Sequence, residues 1–183
     1  MRIEFTNTPW FQGEISQEAM TASQLLDGIW REATNEYVTI RESRMQQGLR
    51  EPKGFQSHLN RIIDYRFNDA GWDGEGGRFV NGDTWIRITF RHQMSIGSDF
   101  LDALRVVRRE GVQFAAICAA PLEILRVISP NDAAALTSFE KLNLLAASLD
   151  DVFDIPLVLG ALVPQSSITS EVIEKLLSSR PRN

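Results

Sequence analysis

Cysteine is nearly absent from this chain. Cys118 stands alone in a run of alanines and isoleucines, which excludes an internal disulfide framework and a cysteine-based zinc site and points to a reduced, cytoplasmic compartment. Histidine is limited to His58 and His92, so a histidine metal site needs other ligands, and none stands at a suitable spacing. Lysine is confined to Lys53, Lys141 and Lys175. The positive charge is therefore nearly all guanidinium, the group suited to forked contacts with phosphate oxygens and guanine. Long apolar runs are missing too. The longest, Phe114 to Leu122 and Ile155 to Val163, are about half the roughly 20 residues a bilayer span requires. The N-terminus carries Glu4 and no apolar signal core, so no membrane or secretory role is expected. No nucleophile elbow is present, and the glycine-rich stretch from Gly71 to Gly77 lacks the Gly-Lys-Ser/Thr ending of a phosphate-binding loop.

What remains is a chain of 183 residues, enough for one core that buries roughly two-thirds of its unfolded surface. We expect a single domain over residues 1–183. Its parts are an N-terminal helix and arginine-rich arm (1–52), a core (53–165) and a C-terminal helix or tail (166–183). The net charge is −5, which argues against nonspecific coating of nucleic acid but not against a confined basic groove. Basic residues outnumber acidic ones thirteen to eleven between residues 31 and 109, against one to four before and five to nine after.

Apolar periodicity gives the elements. Met20, Leu25, Ile29 and Trp30 predict a first helix from Ser16 to Tyr37 with Ser16 as its cap. Val38 to Pro52 is polar and arginine-rich without a clear period, and reads as an arm or loop. Phe55, Leu59, Ile62, Ile63 and Phe67 form one helical stripe. Four glycines between Gly71 and Gly77 disfavour regular structure there and predict a turn or loop. Trp85 to Phe90 alternates as a strand, with Ile86, Ile88 and Phe90 on its core face. Ser98 to Glu110 is a helix with Phe100, Leu101, Leu104 and Val107 as its stripe, Arg105, Arg108 and Arg109 as a basic face, and Gly111 as its stop. Gln113 to Ala120 and Ile155 to Val163 are buried strands separated by a short helix and a helix over Phe139 to Leu149. The order predicts an α/β domain, a mixed central sheet flanked by helices.

Four local patterns share an order with a known family. They are a helix ending in Gly71-Trp72; the strand Ile86 to Phe90 followed by Arg91-His92-Gln93-Met94-Ser95-Ile96 and a helix; Gly111 to Pro121; and Thr137-Ser138-Phe139-Glu140-Lys141, a helix, then Val152 to Pro156 before a last strand. From about Phe55 to Gln165 the chain resembles the BamHI, BglII and BstYI group of type II restriction endonucleases, of the PD-(D/E)XK superfamily. That resemblance implies a restriction-endonuclease-like fold, a homodimer, and Mg2+-dependent cleavage of duplex DNA at a palindromic site.

In that group an acidic residue precedes the central strand, and a Glu-x-Glu or Glu-x-Gln pair within it faces the same side. Their oxygens hold the hard cation that activates water and neutralises charge on the phosphodiester. Here the pair falls on Arg87 and Thr89, and Arg78 stands where an ungapped match expects aspartate. A guanidinium does not deprotonate, and at about 4 Å it repels a divalent ion by roughly 8 kcal/mol at an effective dielectric of 20. Asp73, Glu75 and Asp83 are near enough in sequence to serve as relocated acids and metal ligands.

Three readings follow. In the first, the protein is a restriction-endonuclease-like DNA-binding protein with a lost or rebuilt cleavage centre, and Arg87 holds a phosphate where the metal would sit. In the second it is an active Mg2+ nuclease using Asp73, Glu75 and Asp83. A protein-interaction module on the same scaffold is a third. Arg87 paired structurally with Asp73, Glu75 or Asp83 is the plainer account of that residue. By the same resemblance Arg78, Arg91, His92, Gln93, Ser95 and Ser98 line the approach to DNA, and all carry hydrogen-bond donors suited to phosphates or base edges. Ser95 or Ser98 also serves as a helix cap. His58 is read as a surface or packing residue, and Asn60 and Asp64 on the same helix as possible contributors to the centre.

Overall fold

The alternation of Thr84 to Thr89 makes a strand whose two faces are both buried, and the rest of the fold is layered on those faces. The computed structural model describes residues 1–11, 13–50, 54–149 and 153–164; the expected C-terminal helix or tail lies outside them. The elements are β1 (Arg2–Thr6), α1 (Gln17–Leu25), α2 (Ile29–Gln46), α3 (Phe55–Asp69), β2 (Asp73–Glu75), β3 (Arg78–Asn81), β4 (Thr84–Thr89), α4 (Ile96–Glu110), β5 (Phe114–Ala119), α5 (Leu122–Ile128), α6 (Phe139–Ser148) and β6 (Leu157–Val163).

The strands form one sheet in the order β1-β6-β5-β4-β3-β2. The β4, β5 and β6 strands run parallel, while β1 and the β2-β3 hairpin join antiparallel at the two sides. Parallel strands need crossovers, which α4 and the α5-α6 segment provide. Ile86, Ile88 and Phe90 face a cluster built with Ala22, Trp30, Phe55, Leu59, Ile62 and Phe67 from the first three helices. Trp85 faces the opposite cluster with Phe100, Ala103 and Val106 of α4 and Leu142 and Ala146 of α6. Helices thus cover both faces of a mixed sheet, as the sequence predicts.

Several local expectations are corrected. The first helix is two helices: Ser16 caps α1 by accepting from the Ala19 N–H, and the chain then breaks at Gly28, whose φ of 71° is a left-handed conformation that glycine adopts without a Cβ clash. The arginine-rich stretch continues as α2 to Gln46, because Val38 and Arg41 are buried on a face packed against α3. The glycine-rich loop contains β2, paired with β3 around Gly76 and Gly77. The β1 strand, which alternates weakly, was not expected; it is held by β6. On α4 the buried stripe is Ile96, Asp99, Phe100, Ala103 and Val106. Leu101 is instead 64% exposed.

Candidate functional site

Strand register brings the candidate residues into rows. Glu75 pairs with Arg78, and Arg78 with Arg87, so the three share one face of the sheet. Asp73 and Thr89, two residues along their strands, share it too. That face lies beneath α4 and α6, with Trp85.

Arg87 is only 7% exposed. Its Nε donates to Asp99 Oδ1 at 3.0 Å and its Nη1 to the Gly76 carbonyl at 3.2 Å. Its carboxylate partner is therefore Asp99 on α4, not Asp73, Glu75 or Asp83 as the sequence suggested. The α4 helix packs against β4 and aligns its first turn with the strand's exit, which puts Asp99 twelve residues on in sequence but in contact in space. The same Oδ1 accepts from Arg91 Nη1 at 3.1 Å. Asp99 itself has no exposed surface, and its Oδ2 is buried without a hydrogen-bond partner. Burial pushes the Asp99 carboxyl above the usual carboxylate range, against the pull of the Arg87 and Arg91 guanidiniums.

Beyond the strand, the Arg91 N–H donates to Thr89 Oγ1 at 3.2 Å, and the Arg91 carbonyl accepts from the Thr137 N–H at 2.8 Å. His92 bridges to Leu136, and its Nδ1 accepts from the Met94 N–H to start a 3-10 turn over Gln93–Ser95. That turn runs straight into α4. Neither serine caps the helix as expected: Ser95 has helical backbone angles and makes no side-chain cap, and Ser98 Oγ donates back to the Ser95 carbonyl. His92, Gln93, Met94 and Ser98 stay exposed. Arg78 reaches Glu110 at 3.7 Å, while its Nε is buried without a partner.

The acidic candidates are dispersed. Asp73 and Glu75 are exposed on β2, two strands away from the Arg87 strand, about 10 Å from backbone to backbone at the usual strand spacing. Asp83 is exposed in the turn before β4 and accepts through its carbonyl from the Gln113 and Phe114 N–H groups. It lies four residues before Arg87, about 13 Å along the strand. Among the described residues, no group of three or more His, Cys, Asp and Glu side chains comes together to hold a metal. Among the described residues the centre does not fit Mg2+, which takes oxygen ligands in an octahedron: the carboxylate on Arg87, Asp99, already faces two guanidiniums. Asp64 accepts from the Gly77 N–H at 3.2 Å and so steadies the hairpin turn. His58 packs edge-on to Tyr37 and meets Glu36 at 3.3 Å, a packing role as expected.

Asp99 is the residue that sequence reasoning missed. A signal existed: it occupies the same three-and-four spacing as Ile96, Phe100 and Ala103, and a carboxylate on an apolar stripe needs a buried partner.

No family model and no curated protein matches the sequence. Solved structures do. Free BglII aligns with a TM-score of 0.50 and 14% identity over 90% of this chain and 81% of that one. Restriction endonuclease BglII complexed with a DNA 16-mer aligns with a TM-score of 0.54 and 14% identity over 90% and 78%. With its mixed sheet between two helical layers, the chain has a BglII-like restriction-endonuclease fold.

Proposed function

We propose that this protein binds duplex DNA through a restriction-endonuclease-like scaffold and does not cleave it. One observation carries the reading: where the resemblance expects metal-binding carboxylates, Arg87 is buried and tied to Asp99. A fixed positive charge there substitutes internally for a cation and leaves no carboxylate pair to activate water. Contacts to DNA come from the exposed segment after β4, Arg91, His92, Gln93, Ser95 and Ser98, with Arg78 on the neighbouring strand. Because the net charge is −5, binding is confined to that segment and falls steeply with salt. The protein acts in the cytoplasm as a homodimer. Leu101 on α4 and Leu144 on α6, 64% and 73% exposed on the outer helical layer, supply apolar area for the second copy.

The test incubates purified protein with long duplex DNA and Mg2+ or Mn2+, beside a binding titration across salt concentrations. Salt-dependent binding without cuts is the expected result. Specific cuts that vanish on replacing Asp73, Glu75 or Asp83 would establish the active-nuclease reading instead. Absence of binding would favour a protein-interaction module.

A further inference from the structure

The three arginines of the site are not equivalent. Arg87 is sealed under α4, and Arg78 is directed toward Glu110. Arg91 stands 45% exposed by its side chain, on a backbone fixed from both sides by Thr89 and Thr137. One oxygen of a fully buried carboxylate joins the inner guanidinium to the outer one. Building on the DNA-binding reading above, we propose that Asp99 is a positioning residue: it holds the Arg91 guanidinium so that its outward donors meet a backbone phosphate of duplex DNA.

The chemistry supports that division of labour. Arg87 cancels the charge of Asp99, so the trio keeps one net positive charge, and the exposed member is the one able to share it with a ligand. The bond to Asp99 uses Nη1 of Arg91. The other nitrogens of the planar fork remain for phosphate oxygens, which such forks bind in pairs. An arginine tethered before binding loses less rotamer freedom when the phosphate arrives. Asp99 touches no ligand in this arrangement; it acts through Arg91.

The experiment is a double-mutant cycle on the full chain, read by fluorescence anisotropy with a labelled mixed-sequence duplex at several salt concentrations. Arg91→Ala is expected to weaken binding roughly ten-fold and to lower the salt slope by about one phosphate contact. Asp99→Asn is expected to weaken binding several-fold, and to add nothing further in the Arg91→Ala background. Because Asp99→Asn disturbs a buried group, Arg91→Lys provides a second arm on an exposed residue. It is expected to keep the salt slope while losing several-fold in affinity, since a lysine carries the charge without the fork. Inorganic phosphate at millimolar concentration is expected not to compete, which separates a duplex backbone from a free anion. If wild type binds and the two losses multiply, or Arg91→Ala leaves the salt slope intact, Asp99 has no positioning role while the DNA-binding reading stands. If wild type does not bind duplex DNA, that reading fails and takes this one with it.

Discussion

Replacing Asp99 by leucine strands the Arg87 guanidinium inside the protein. Arg87 is 7% exposed and its other described contact is the Gly76 carbonyl, so the lost carboxylate cannot be replaced by water without opening the layer between α4 and the sheet. Breaking a buried pair on one side costs about 3 to 5 kcal/mol. For a domain of this size each kcal/mol lowers Tm by roughly 2 to 4 °C, giving a fall of about 6 to 20 °C. The double variant Arg87→Met with Asp99→Leu removes both charges together, and such exchanges range from neutral to about 4 kcal/mol stabilising. The buried Asp99 Oδ2, which has no described hydrogen-bond partner, places the exchange toward the favourable end of that range. Urea denaturation of wild type, the two single variants and the double variant measures the cycle, with a constant m-value as the check that compactness is unchanged. A loss below about 1 kcal/mol for Asp99→Leu, the range of an exposed ion pair, would refute the sealed centre.

Further expectations concern separate parts of the molecule. Stability should depend on pH through Asp99: its folded-state value is raised, so its contribution is complete below the unfolded carboxyl range and is lost as pH rises through the folded value. Asp99→Asn should remove that component from a pH series of urea midpoints. Arg87→Glu with Thr89→Gln places a carboxylate beside Asp99, and Mg2+ should then raise the Tm of the variant but not of wild type. Gly160→Ala directs a methyl group to 2.6 Å from both Cys118 Sγ and Ile3 Cγ2, an overpacking expected to cost about 1 to 3 kcal/mol; Cys118→Ala should recover part of it. Burial pushes the Cys118 thiol well above its usual range, so a thiol reagent should modify it only after denaturant is added.

The sequence made some features legible and hid others for physical reasons. The α3 stripe and the alternation of β4 are strong periodic signals, and the five apolar positions of α3 are all buried. The β2 strand is invisible because three residues among glycines carry no pattern; pairing with β3 alone makes it. The α2 helix extends through Arg41 because α3 covers that face, a long-range effect that local polarity conceals. In the site, the place of Arg87 on its strand was legible from the alternation of β4. Its partner was not, because the Arg87 to Asp99 contact depends on how α4 crosses β4. The stripe expected on α4, Phe100, Leu101, Leu104 and Val107, also differs from the buried one, which includes Asp99.

The two margins of the sheet bear on how the protein behaves in concentrated solution. A bare strand edge is a template for uncontrolled pairing with other chains. Here one margin is only three residues long and carries Asp73 and Glu75; the other shows Arg2 and Glu4 in an ion pair on its surface. Brevity at one side and charged side chains at both oppose the stacking that leads to fibrils.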